Sequence, residues 1–94
     1  MGANRSAEVA ACYLRTGECL EASGNLDAAY VMLRGAHEIW KVTGHSDRVM
    51  TARCLRCLER VERGRKHSEQ AEMFRIAAEI VEKELSNSVK SENN

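Results

Sequence analysis

Three short breaks cut a proline-free chain into four segments, and that spacing constrains the fold more than any other feature. The breaks are Ser23-Gly24-Asn25, Gly44 and Gly64. Between them, apolar residues recur every three or four positions, the period of one helix face. Ala, Leu, Glu and Arg dominate and aromatics are only 4% of residues, a mix that favours helix over sheet.

The first segment runs from about Ser6 to Ala22, with Val9, Tyr13, Thr16/Gly17 and Leu20 on one face and Ser6 as a candidate N-cap. The second, from about Leu26 to Val42, carries Ala29, Leu33, Ala36, Ile39 and Trp40, with Asn25 as a candidate cap and Gly44 as its end. Ser46 or Asp47 caps a third segment, Arg48 to Arg63, whose core face is Cys54, Cys57/Leu58 and Val61. Ser68 caps a fourth, reaching about Leu85 through Ala71, Phe74, Ala77/Ala78, Ile80 and Val81. Short turns make consecutive helices antiparallel. The expected organisation is a flexible stretch over 1–5, a helical domain over 6–85 with hairpins at about 6–43 and 46–85, and a disordered tail over 86–94.

At 94 residues there is room for one domain. Lys+Arg and Asp+Glu balance at 14 each, which argues against a nucleic-acid binder. No membrane-spanning run or signal peptide is visible, so a cytoplasmic setting with Cys12, Cys19, Cys54 and Cys57 reduced is the expectation. Met1-Gly2-Ala3-Asn4-Arg5-Ser6 fits the short N-myristoylation template.

The two hairpins read as copies. A shift of 41 residues superposes Ala11 on Ala52, Leu14 on Leu55, Arg15 on Arg56, Glu21 on Glu62, Met32 on Met73, Ala36 on Ala77, Glu38 on Glu79 and Ile39 on Ile80. A period of that length with helix–turn–helix content is the mark of a helical solenoid. The first hairpin resembles a tetratricopeptide repeat through Tyr13, Gly17, Leu20, Gly24, Ala29, Leu33 and Ala36. The second departs from it: Leu58 stands in place of Gly17 and Gln70 in place of Ala29, with Ala71 one residue late, as in a degenerate repeat or one with a shifted turn. The long period and the segments 36–44 and 71–85 resemble the longer repeats of kinesin light chains, and the run His37-Glu38-Ile39-Trp40 before Gly44 is similar to the C-terminal part of soluble NSF attachment proteins.

The resemblance implies an all-α short solenoid acting as an adaptor or scaffold for another protein. It also implies that the first helix of each hairpin lines the binding face, making Leu14, Arg15, Glu18, Leu55, Arg56, Glu59 and Arg63 the partner-contact candidates. The Lys/Asn set with which such repeats clamp chaperone C-termini is not reproduced. Two hairpins are fewer than a solenoid usually needs, so self-association or further repeats of a longer chain are expected.

Other constellations are weaker. Cys54-Leu55-Arg56-Cys57 is a CxxC without a βαβ context, and Cys12 and Cys19 lie about 10 Å apart along one helix, so core packing is expected rather than redox or metal chemistry. His37, His45 and His67 are dispersed, and no catalytic set or phosphate loop appears, so neither a cofactor nor an enzymatic role is expected. Arg53, Arg56, Arg60 and Arg63 form a stripe on the third segment. It reads either as a solvated face paired with Glu59 and Glu62 or as an anion-binding surface, the alternative being a vesicle-fusion accessory factor.

Overall fold

A computed structural model describes the backbone of residues 2–43 and 47–93, and the side chains of residues 6–43 and 47–87. Four helices make up the described chain: α1 Gly2–Ala22, α2 Leu26–Thr43, α3 Arg48–Gly64 and α4 Ser68–Asn93. The fold is all-α. α1 packs along α2 and α3 along α4 as two antiparallel hairpins, and α3 also packs on α2 and touches α1.

Local chemistry sets most of the boundaries. Asp47 caps α3, its carboxylate accepting from the N–H groups of Val49 (2.9 Å) and Met50 (3.3 Å). The expectations for Gly44, His45 and Ser46 lie outside the described residues. Ser6 sits inside α1, which starts four residues earlier, and Ser68 is the first residue of α4 rather than its cap, since the His67 carbonyl already accepts from Ala71. α4 also continues to Asn93 where an end near Leu85 was expected. No glycine or proline interrupts that stretch, so nothing in it stops a helix already propagating.

The two hairpin turns have the same hydrogen bonds but different residues at the critical position. In the first, the Gly24 N–H donates to Glu21 and the Asn25 N–H to Leu20, with Gly24 at φ 85°. In the second, the Lys66 N–H donates to Arg63 and the His67 N–H to Glu62, with Lys66 at φ 67°. Both are Schellman turns. The left-handed residue of the second is Lys66, not Gly64, which is the last residue of α3.

This turn shifts the correspondence between the two hairpins. Leu14 and Leu55 are both buried at the 41-residue spacing, as are Gly17 and Leu58. α3 then carries one extra residue before its turn, so the second helices correspond at 42: Ala29 with Ala71 and Ala36 with Ala78, all fully buried. Gln70 is exposed and Ala71 takes the Ala29 place, so the second hairpin has a shifted turn. Ile39 and Ile80 are not equivalent, since Ile39 packs on the core and Ile80 is 57% exposed.

The core runs through Ala10, Leu14, Ala29, Leu33, Ala36, Trp40, Cys54, Cys57, Leu58 and Val61. α1 buries Ala10, Leu14 and Gly17, not the expected Val9 and Tyr13, which keep much of their surface in solvent. The helix is turned by one residue, about 100°. Gly17 fixes this close approach: a β-carbon there would meet Leu33 Cδ2 and Cγ at 2.7 Å.

Candidate functional site

α3 is the centre of the molecule, buried on two sides through Ala52, Cys54, Leu55, Cys57, Leu58, Val61 and Glu62. Its remaining face carries the arginine stripe, and every member of it meets a carboxylate. Arg53 makes a bidentate pair with Glu18 of α1 (Nη2 to Oε1 2.7 Å). Arg60 reaches Glu21 of α1 at 3.2 Å. Arg56 makes a two-point pair with Glu82 of α4 (2.9 and 2.7 Å) and also donates to Glu59. Arg63 holds the other oxygen of Glu59 at 2.7 Å. Arg48 adds a pair to Glu84 of α4, so α3 is tied outward to both neighbours. Glu62, the expected partner, does not join the stripe. It is buried at the turn, accepting from Arg65 Nη1 at 2.7 Å and lying 3.2 Å from His67 Nδ1. Arg65 stacks over Tyr30 of α2, 4.4 Å from the ring centroid.

These pairs set the protonation of the groups they join. Hydrogen bonds from Arg63, then Arg56, hold the Glu59 carboxyl below its usual range. Arg56 does the same for Glu82. Arg56 is pushed the other way by Glu82 and Glu59, so it is charged at any ordinary pH.

Between α1, α3 and α4 lies an open cleft of about 280 Å³. Val49, Ala52 and Leu85 give it apolar surface, and Glu18, Arg53, Arg56, Arg60 and Glu82 give it charged surface. Among the expected contact residues, Glu18 and Arg56 line this cleft. Arg15 and Arg63 are exposed elsewhere, and Glu59 is the anchor of two arginines. Leu14 (0% exposed) and Leu55 (3%) are core residues and cannot meet a partner. Each helix packs chiefly on its hairpin partner, α1 on α2 and α3 on α4, and both leucines are inside. The sequence reading missed Val49, Ala52, Leu85 and Glu82, of which Val49 and Ala52 share a helix with the arginine stripe.

The CxxC residues are both buried. Burial pushes the Cys54 thiol up to about 12, and Cys57 to about 11, with Glu21 adding to the latter. Cys54 Sγ donates to the Leu33 carbonyl at 3.4 Å, a helix-to-helix contact. Among the described residues no three His, Cys, Asp or Glu side chains converge as metal ligands, and no helix is long and apolar enough to cross a membrane. His37 is lowered by burial and then by Arg34 and Lys41.

Compared with family models, curated proteins and solved structures, the chain has no match.

Proposed function

We propose that this chain is a protein–protein interaction module of tetratricopeptide-like type, an adaptor or scaffold of the cytoplasm, that takes a peptide or helix of a partner into the cleft between α1, α3 and α4. The observation that carries the reading is the cleft itself, where solvent-facing Val49, beside Ala52 and Leu85, is rimmed by ion pairs of both signs. An apolar anchor flanked by charged residues fits such a surface, because rim charges steer and orient while the buried apolar contact supplies affinity. Burial keeps both thiols of the CxxC protonated, so that pair gives a catalytic reading no support. The anionic-surface reading is weakened because each arginine of the stripe already has a glutamate.

The test uses Val49, which is 55% exposed and lines the cleft. Affinity capture from cell extract followed by mass spectrometry is run with the native chain, Val49→Glu, and Lys41→Glu on the exposed face of α2 as a control. A partner retained by the control and lost with Val49→Glu supports the cleft. Identical captured sets with all three remove it.

A further inference from the structure

α4 has its polarity turned around relative to α2. The face of α2 that receives α3 is Leu26, Tyr30, Leu33, His37 and Trp40: Leu26 lies against Gly64, Tyr30 under Arg65, the Leu33 carbonyl on Cys54, and His37 and Trp40 beside Thr51. At the corresponding positions, 42 residues on, α4 carries Ser68, Glu72, Arg75, Glu79 and Glu82. Arg75 bridges Glu72 and Glu79, the latter at 2.6 Å, and these three form a self-satisfied charged ladder, while Glu82 turns to Arg56 of α3. A third hairpin stacked on α4 as α3 stacks on α2 would bury that ladder, which is the polar outer face of a terminal repeat.

The apolar surface of α4 lies about 100° further round. Met73, Ile76 and Ile80 are 69%, 48% and 57% exposed. On α2 the equivalents of Ile76 and Ile80 are Arg34 and Glu38, which pair with each other in solvent. Continuing the stripe adds Glu69 before it and Lys83 after it, and Glu69, Met73, Ile76, Ile80 and Lys83 alternate by four and three, the spacing of a coiled-coil seam. Glu69 and Lys83 are exposed, and neither has an ion-pair partner among the described residues.

We propose that this stripe seats the same stripe of a second copy, with the two α4 helices antiparallel across a two-fold axis near Ile76. The unpaired charges choose the orientation. A parallel arrangement sets Glu69 against Glu69 and Lys83 against Lys83. An antiparallel one brings each Glu69 to the other copy's Lys83, and the symmetry forms both pairs at once. One helix face is small beside the roughly 800 Å² per partner of a standard interface, so the dimer is weak and reversible. It lies away from the α1/α3/α4 cleft and stands whether or not that cleft binds a partner.

Sedimentation equilibrium of the full chain, from about 10 μM to 1 mM, tests this against the variants. The native chain shows a reversible monomer–dimer equilibrium. Ile76→Glu/Ile80→Glu, both solvent-facing, keeps the native helical circular dichroism and dimerises at least tenfold more weakly. Glu69→Lys and Lys83→Glu each weaken the dimer by roughly three- to tenfold, and the double exchange restores it, because two exposed pairs each turn from attraction to repulsion and back. A native chain that is monomeric throughout overturns the proposal. So does a dimer unaffected by the isoleucine changes, and so does a double exchange that fails to restore native affinity.

Discussion

The two Schellman turns allow a test in which one physical term acts with opposite signs. Gly24 and Lys66 hold the same left-handed place with the same pair of backbone hydrogen bonds. That conformation costs a residue with a β-carbon about 1–2 kcal/mol. Glycine avoids the cost but gives up about 0.4–1 kcal/mol of extra freedom in the unfolded chain. The balance favours glycine by about 0.5–1 kcal/mol. Gly24→Ala therefore destabilises by that amount and Lys66→Gly stabilises by it. Nothing else interferes: a β-carbon on Gly24 meets no atom within 4 Å, and the Lys66 side chain is exposed with no ion pair among the described residues. In a domain of this size the shifts are roughly 2–8 °C in Tm, in opposite directions. Thermal unfolding followed by circular dichroism at 222 nm measures both. Two shifts of the same sign, or two below about 1 °C, would refute the turn assignment.

Other consequences follow from packing and charge. Gly17→Ala costs about 1–3 kcal/mol through its contact with Leu33, and Leu33→Ala about 2–5 kcal/mol. In urea unfolding the double variant loses clearly less than the sum, because the clash needs both side chains. With Ellman's reagent at pH 8, the exposed Cys12 and Cys19 react at once, while Cys54 and Cys57 wait for unfolding; four fast thiols count against the burial described. The carboxyls of Glu59 and Glu82 are held low by Arg63 and Arg56, so their contribution to stability is present above the unfolded carboxyl range and lost as pH falls through the lowered folded values. Stability should drop between about pH 5 and 3, less steeply in Glu59→Gln. Equal slopes in urea titrations of the two proteins would show the pairing to be energetically silent.

Helix number, the first turn, the Asp47 cap and the core face of α3 were all legible in the sequence, because capping and periodicity are local. The phase of α1 was not. Its interface is built from Ala10, Leu14 and Gly17, while the larger Val9 and Tyr13 stay partly in solvent. Helices that approach this closely select small residues at the contact, so a reading that places the largest side chains inside points the helix the wrong way. The same logic misplaced Ile80; Leu14 and Leu55, assigned to the binding face by the family resemblance, are buried instead. The extra residue in α3 was hidden because Lys66, rather than a glycine, makes the second turn. The partners of the stripe arginines were only partly legible. Glu59 lies on the same helix, but Glu18, Glu21 and Glu82 come from elsewhere in the chain and no local spacing announces them.

The ties that radiate from α3 have a mechanical consequence. Arg53 and Arg60 reach back to α1, while Arg48 and Arg56 reach forward to α4, and three of these four arginines also line the cleft. Of these, Arg53 and Arg60 are the ties that cross from one hairpin to the other, and widening the cleft on the α1 side lengthens them. Whatever wedges between α1 and α3 in the cleft therefore also loads the joint between the two hairpins.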